Sequence, residues 1–416
     1  MHPSLSTANL SEAKILAALL IFLASYLVFA LGKLPGLKID RPGAAIIGAV
    51  LMVALGIVPP ESTFQFIDFS TLVLLFSMML VVSNLRMAGF FDWSAGFFLR
   101  RLRRAQLLPA IIFISGFLSA FFVNDIICLA MVPLVLVTTR RMGLRPERYL
   151  LAVATASNIG SVATITGNPQ NMLIGSFSGI RFFDFLTHLA PIAIVGLLVD
   201  WAALHWLDRR QDVPVSQAQE VLPAMPPARG PLIKSMLVAT FIVAGFLSGI
   251  SPAMVAAIGA AILLITRRGD PRNVYKEVNW GLLVLFSGLF IIVGGAQQAG
   301  LAGHLLVLGQ KMRLTNPAVF VGFTAILGNL VSNVPAVMLL RPIVPALGNP
   351  HQMWLLLAMA STLAGNLTIT GSLANIIVIE TAGPEAHITF RDYFRIGLPI
   401  TLITLALGTA WLWWIH

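Results

Sequence analysis

Thr164-Ile165-Thr166-Gly167-Asn168-Pro169-Gln170-Asn171 lies inside an apolar run, with L-L-A-V-A-T-A-S-N-I-G-S-V-A before it and M-L-I-G after it. A run of that kind reads as a membrane helix, since about 20 apolar residues cross the hydrocarbon of a bilayer. Gly167, Pro169 and two asparagines in its middle break the helix and bring polar groups to lipid depth. Every backbone group freed there needs a partner, so an unwound segment is tolerated only where protein covers it or it lines a cavity. Taken alone, a proline kink in an ordinary span accounts for this. Thr368–Asn375, however, reads T-I-T-G-S-L-A-N inside another apolar run and repeats five of the eight residues. Paired interruptions in corresponding halves of a membrane protein point to a transport site.

The composition sets the class. Hydrophobic residues make up 57% of the 416-residue chain and charged residues only 11%, a balance that identifies a polytopic membrane protein. The single cysteine, Cys128, excludes a disulfide framework and a thiolate metal cluster. The net charge of +10 comes from basic residues between apolar segments, which fits a positive-inside bias and not nucleic-acid binding. The first apolar run, from about Ile15, reads as an uncleaved first helix and not a signal peptide.

Spans are expected near 14–32, 42–59 and 69–89, followed by an interfacial stretch, Phe90–Arg104, rich in aromatic and basic residues. A re-entrant hairpin at about 106–139 carries Asn124-Asp125 near its centre. A broken helix at about 147–176 and a span at 185–207 complete a first repeat, 1–207. Residues 208–231 are polar and proline-rich and read as a linker. The order then recurs over 232–416. Spans fall near 232–249, 252–267 and 280–298, with an interfacial stretch at about 301–313. A hairpin at about 317–346 centred on Ser332-Asn333-Val334-Pro335, a broken helix at about 353–380 and a span at 394–415 follow. Phe76-Ser77 corresponds to Phe286-Ser287, Asn124 to Asn333, Pro133 to Pro342 and Asn171 to Asn375, which marks an internal duplication.

With five crossings and one non-crossing hairpin per half, the second repeat is inverted relative to the first. That arrangement gathers Lys33, Lys38, Arg41, Arg100–Arg104, Arg140, Arg141, Arg145, Arg148, Arg209, Arg210, Arg229, Lys234, Arg267, Arg268, Arg272, Lys276, Arg391 and Arg395 on one side. The other side keeps Lys14, Arg181, Lys311 and Arg313, an imbalance of about five to one that makes the first side cytoplasmic. The linker is then inside and both termini are outside, in a bacterial-type inner membrane.

Two hairpin tips and two broken helices would meet near the midplane. Half-helix N-termini suit an anion, while half-helix C-termini and unwound carbonyls suit a cation such as Na⁺. The candidate binding residues are Asn124, Asp125, Thr164, Thr166, Gly167, Asn168 and Asn171 in the first half. Ser332, Asn333, Thr368, Thr370, Gly371, Ser372 and Asn375 are their counterparts in the second. Any single threonine among them could instead cap a half-helix. Asp125 is the one carboxylate inside either hairpin, and burying it ionised without a partner would be costly; a proton, a cation or a basic side chain would meet it. Arg341, near the second tip, could contact an anion, pair with Asp125 or snorkel outward. Arg86 reads as an interface anchor, Cys128 as packing, and His304 and His351 as outer-loop residues with no special role.

These motifs resemble the ion transporter superfamily of divalent-anion:sodium symporters, arsenite-efflux permeases and NhaD-type sodium/proton antiporters. Ser332-Asn333-Val334 is similar to the Ser-Asn-Thr hairpin tip of the symporters, and T-I-T-G-N-P-Q-N to their Thr-Pro-x-Gly-Thr-x-Pro-Asn segment. The Asn124-Asp125 tip with Pro133 is more like the arsenite permeases. The first tip, Val123-Asn124-Asp125, lacks the symporter serine and threonine, and the second unwound segment has Leu373 in place of proline. The resemblance covers nearly the whole chain and implies a scaffold, an elevator-like transport unit and a homodimer.

The expected function is secondary active transport of a small anion or oxyacid coupled to Na⁺ or H⁺, with no cofactor and no metal. Arsenite/antimonite efflux in exchange for H⁺ is the first alternative and Na⁺/H⁺ antiport the second. No H-E-x-x-H, no G-x-S-x-G, no paired intramembrane aspartates and no nucleotide-binding loop occur, so an enzyme is not expected.

Overall fold

The computed structural model describes residues 11–32, 38–91, 93, 102–207, 229–265 and 271–416, and they form helices with no strand among them. The first half contains α1 (Glu12–Leu31), α2 (Arg41–Ala54), α3 (Phe69–Met87), α4 (Arg104–Phe121), α5 (Asn124–Met142), α6 (Glu147–Ser161), α7 (Pro169–Ser178) and α8 (Phe182–Leu207). The second half contains α9 (Arg229–Leu247), α10 (Pro252–Leu264), α11 (Trp280–Gln298), α12 (Leu301–Lys311), α13 (Pro317–Val331), α14 (Asn333–Leu340), α15 (Pro350–Leu363), α16 (Leu373–Ala382) and α17 (Phe390–Trp414). The helix order of the first half recurs in the second. Most of the expected interfacial stretch 90–104 and of the linker 208–231 falls outside the described residues.

Among the described residues, seven helices are long and apolar enough to cross a membrane: α1, α3, α4, α8, α9, α11 and α17. The second helix of each half is shorter than its apolar run led us to expect. At about 1.5 Å per residue, α2 spans only about 21 Å. It stops at Gly56, whose φ of 63° leaves the helix, and the amides of Ile57 and Val58 both turn back to the Met52 carbonyl at 3.0 and 3.1 Å. Ile57 and Val58 are nonetheless buried, so the end of the run is a packed turn and not a helical span. The start of α2 is sharply defined, because Asp40 accepts a hydrogen bond from the Gly43 amide at 2.9 Å and Pro42 occupies the first turn.

Packing divides the helices into two groups. α1–α3 and α9–α11 form one, in which α2 lies against α11 and α3 against α10, so each half buries its short helix on the other. α4–α8 and α13–α17 form the second. There α5 packs on α16, α14 on α7, and α8 on α17, again across the halves. Close approach depends on small residues, as is general where lipid supplies no hydrophobic drive between helices. A Cβ on Gly160 of α6 would lie 2.0 Å from the Gly116 carbonyl oxygen of α4, and one on Gly288 of α11 would lie 2.5 Å from the Ala45 carbonyl of α2. Gly160→Ala must therefore push α4 away from α6 and should lower the thermal unfolding midpoint in detergent, by about 1–3 kcal/mol of overpacking or more. Gly322→Ala, in α13 with nothing within 4 Å, is the control and should leave the midpoint unchanged.

Both expected helix breaks and both tips are present. α6 ends at Ser161, and α7 begins at Pro169, where the Asn168 side chain caps it by accepting from the Asn171 amide at 2.9 Å. α15 ends at Leu363; two 3₁₀ turns, Ala364–Asn366 and Ile369–Gly371, precede α16, capped by Ser372. At the first tip Phe122 and Val123 are extended between α4 and α5. At the second, Ser332 alone separates α13 from α14, with φ 78° and ψ 154°. That region of backbone space is nearly restricted to glycine and costs roughly 1–3 kcal/mol for other residues. The limb after the second tip is also shorter, with 8 residues in α14 against 19 in α5. Pro342 falls just past its end and cannot donate an amide hydrogen, whereas its counterpart Pro133 is accommodated inside α5.

Candidate functional site

A cavity of about 1060 Å³, its open mouth included, lies between the two groups of helices. Asn124, Asp125, Pro169, Gln170, Ser332, Asn333, Ser372 and Leu373 line it from the second group, and Asp40, Arg41, Asn279, Gly281, Leu282 and Leu285 from the first. These positions share a property: they are the first residues of α5, α7, α14 and α16, and the starts of α2 and α11. Six helices thus begin at one cavity. Each N-terminus brings up to roughly half a positive charge, although side chains already cap first-turn amides of α2, α7, α11 and α16, and Arg41, whose Nε donates to the Phe29 carbonyl at 3.0 Å, adds a full one. Asp40 and Asp125 are the two carboxylates on the cavity lining.

Behind the wall is a buried hydrogen-bond network that appears twice. Asn171 donates to the Ser161 and Thr164 carbonyls at 3.1 and 3.0 Å. Asn375, its counterpart, donates to the Gly365 and Thr368 carbonyls at 2.7 and 3.0 Å. The halves are then joined reciprocally. Asn168 of the first donates to Thr362 of the second at 3.1 Å, and Ser372 of the second donates to Asn158 of the first at 3.0 Å. Asn158 and Thr362 are themselves repeat partners, 362 − 158 = 204 residues apart, the same interval as Asn171 and Asn375. Asn158 is the hub. Its Nδ2 donates to Asn366 and Asn375, both at 2.9 Å, and its Oδ1 accepts from Asn124 and Ser372, both at 3.0 Å. Those four bonds are all that an amide side chain can make.

The residues expected to bind therefore divide into two sets. Asn124, Asp125, Ser332, Asn333 and Ser372 line the cavity. Asn168, Asn171 and Asn375 instead hold the unwound segments together. Thr164 donates to the Ala120 carbonyl and Thr166 to the Phe121 carbonyl, at 3.4 Å in the latter case, fastening the first tip to its break. Gly167 has a positional role: its carbonyl accepts from the Asn124 amide at 3.0 Å, and a Cβ there would meet the Ser161 oxygen at 2.2 Å. Thr368 donates to Asn329 at 3.1 Å, Gly371 is pressed against Asn329 and Gly365, and Thr370 is exposed away from the cavity lining. A hydroxyl two or three residues from a helix end bonds local carbonyls more readily than a distant ligand, which accounts for the threonines.

Arg341 is not at the cavity either. Its guanidinium lies 3.5 Å over the Phe177 ring, a cation–π contact, and it forms no ion pair with Asp125. Among the described residues Asp125 has no ion-pair partner, and it is half-buried at the wall. Arg86 pairs with Glu277 at 2.5 Å and Arg140 with Glu385, so both ion pairs link the two halves at the ends richest in basic residues. Cys128 is fully buried, 2.9 Å from the Ser157 hydroxyl.

Several contributors are not apparent from the motifs. Asn158 sits within the regular helix α6, with only its place 13 residues before Asn171 to mark it. Arg41 counts as one more basic residue at a span end. Asp200, on α8, is fully buried, and neither carboxylate oxygen makes an ordinary hydrogen bond; Thr155 and the Tyr393 phenol are among its neighbours. A carboxylate deep in an otherwise apolar span is the signal that identifies it. At the two tips, Asn124 Oδ1 and Asn333 Oδ1 are buried acceptors without a donor, a matched pair from the two halves.

The CitMHS family profile, described as a citrate transporter, matches residues 26–364. The chain belongs to this transporter family. Among CitMHS relatives, an uncharacterized transporter of Mycobacterium tuberculosis is 29% identical over 426 residues, covering 95% of this chain and 97% of that one. The silicon efflux transporter LSI3 of Oryza sativa subsp. japonica is 28% identical over 450 residues, covering 90% and 93%. In fold, this CitMHS chain is similar to the YdaH transporter of Alcanivorax borkumensis, with a TM-score of 0.62 at 15% identity over 97% of both chains. The protein is a multi-pass membrane transporter of the ion transporter superfamily, as the motifs led us to expect.

Proposed function

We propose that this CitMHS protein is a secondary active transporter of a small hydroxylated oxyanion, with citrate the first candidate, driven by a cation gradient. The observation that carries the reading is the convergence of six helix N-termini and Arg41 on one cavity. Such ends favour an anion without further machinery. The driving cation is H⁺ or Na⁺. Asp125 offers a carboxylate at the wall, and Asn124 Oδ1 and Asn333 Oδ1 offer amide oxygens closed off from water, the donor type that suits a dehydrated Na⁺.

Alternating access follows from the two groups of helices. The two halves act as inverted repeats, and α4–α8 with α13–α17 move as a unit against the rest. One buried cross-bond between the groups, Tyr26 to the Pro335 carbonyl at 2.9 Å, must break during that movement. Arg41 and Asn279 line the cavity from the side to which the charge bias assigns the cytoplasm, and this reading has the cavity open inward with both termini outside. A neutral hydroxide such as arsenite is the second reading. It is favoured by Asp125 and the two unpaired amide oxygens, which would accept its hydroxyl hydrogens, and by the name of the rice relative.

Leu373→Cys tests the site directly. Leu373 is 41% exposed at the cavity, whereas the native Cys128 is fully buried and gives no background. A membrane-impermeant maleimide applied to the cytoplasmic face should label Leu373→Cys, and saturating citrate should slow the labelling about tenfold, as occupancy at roughly ten times Kd requires. Labelling that no anion or oxyacid slows, in a variant that still transports, would remove the cavity as the binding site.

A further inference from the structure

Away from the cavity, three helix ends meet: the N-termini of α8 and α15 and the C-terminus of α17. Each brings one histidine. The ring centroids of His188 and His351 are 5.2 Å apart, those of His188 and His416 5.2 Å, and those of His351 and His416 5.0 Å. One ligating nitrogen from each falls within 4.8 Å of the others. The helix ends are fixed by two further bonds, from the Trp411 indole to the His188 carbonyl at 3.0 Å and from Gln352 to the Leu412 carbonyl at 2.9 Å.

Asp184 sets the tautomers. Its carboxylate meets His351 Nε2 at 2.9 Å and His188 Nδ1 at 3.3 Å, and its carbonyl meets His188 Nδ1 at 2.7 Å. These oxygens only accept, so both nitrogens carry hydrogen, which leaves His351 Nδ1 and His188 Nε2 with free lone pairs. A carboxylate bonded to the far nitrogen of a histidine is the usual outer support of a metal-ligating imidazole.

We propose that His188, His351 and His416 bind one divalent transition-metal ion of the zinc class, with Asp184 orienting two of the three rings. Three imidazole ligands suit Zn²⁺, Ni²⁺ or Cu²⁺ and not Mg²⁺ or Ca²⁺, which prefer oxygen. Tetrahedral Zn–N bonds of about 2.0–2.1 Å place ligating nitrogens about 3.4 Å apart, so the rings, with nitrogens now within 4.8 Å of one another, would close in on the ion. The ion would cross-link α8, α15 and α17 at the face opposite the cavity mouth, and the fourth position stays open to water.

The test uses tag-free full-length protein in detergent micelles, titrated calorimetrically with ZnCl₂ and with MgCl₂ as control. One zinc per chain is expected, with a Kd of about 10 μM or tighter, together with a raised thermal midpoint that EDTA reverses. His351→Ala and His416→Ala should each weaken binding at least about tenfold, and Asp184→Asn by about 10–100-fold, the usual range for an outer-shell partner. Co²⁺ in the same site should give the visible ligand-field bands of four-coordination. If His351→Ala fails to fold, His416→Ala, at the exposed end of α17, still decides the matter. No saturable zinc binding below about 100 μM, or unchanged affinity in His416→Ala, would overturn the proposal.

Discussion

Asn158→Ala should abolish transport and cost the fold several kcal/mol, the largest effect of any single substitution in the site. The alanine strands four buried groups at once: Asn124 Nδ2, the Ser372 hydroxyl, Asn366 Oδ1 and Asn375 Oδ1. Each buried group left unpaired costs about 1–3 kcal/mol, and relaxation or an entering water recovers part of the sum. The loss reaches the first tip and the second break, because the Asn158 side chain joins Asn124 of one half to Asn366, Ser372 and Asn375 of the other. Gradient-driven uptake in proteoliposomes should fall at least about 100-fold, the equivalent of about 2.7 kcal/mol, with a lower unfolding midpoint in detergent. Ser372→Ala removes only one donor to Asn158 and should be milder on both measures. A double-mutant cycle between the two should show coupling of about 0.5–3 kcal/mol. Near-wild-type uptake in Asn158→Ala would mean the network is packing and not the framework of the site.

Asp125→Asn has the second large effect, and it is selective. The amide is close in size to the carboxylate and keeps the wall of the cavity in place, but it can neither take up a proton nor neutralise a cation. Concentrative uptake driven by the coupling gradient should fall by about two orders of magnitude, about 2.7 kcal/mol. Exchange of labelled for unlabelled substrate, which needs no net coupling, should survive within about threefold, below 0.7 kcal/mol. Loss of both activities would make Asp125 a substrate ligand. Retention of both would move coupling to the amide oxygens of Asn124 and Asn333.

The sequence carries the breaks because glycine, proline and paired asparagines have no place in the middle of an apolar helix. T-I-T-G at 164 and 368 therefore marks both unwound segments within a residue or two, and Trp280–Gln298 coincides with its expected span. What the sequence hides is whatever depends on distance across the fold. Asn158 resembles any tolerated polar residue in α6 until Asn366 and Asn375, more than 200 residues away, meet it. Arg341 near a tip invites an anion, yet Phe177 of α7 takes it. His351 in an outer turn calls for no role until α8 and α17 bring two more histidines beside it. The short α2 also escapes a count of apolar residues, because Ile57 and Val58 are buried just as a helical span would bury them. Four of the six helix starts at the cavity are those the tips and breaks call for, and the starts of α2 and α11 are added by the packing alone.

Under the proposed function, a gradient-driven anion occupies the cavity between the two groups of helices. The most direct test is flux into proteoliposomes with H⁺ and Na⁺ gradients imposed separately, offered citrate, succinate, sulfate, phosphate and arsenite in turn. We predict that one of the anions accumulates above its equilibrium level only while a cation gradient is present, and that an ionophore collapsing that gradient releases it. Arsenite movement driven by H⁺ alone, with no anion transported, would contradict the account, as would anion flux that never exceeds equilibrium.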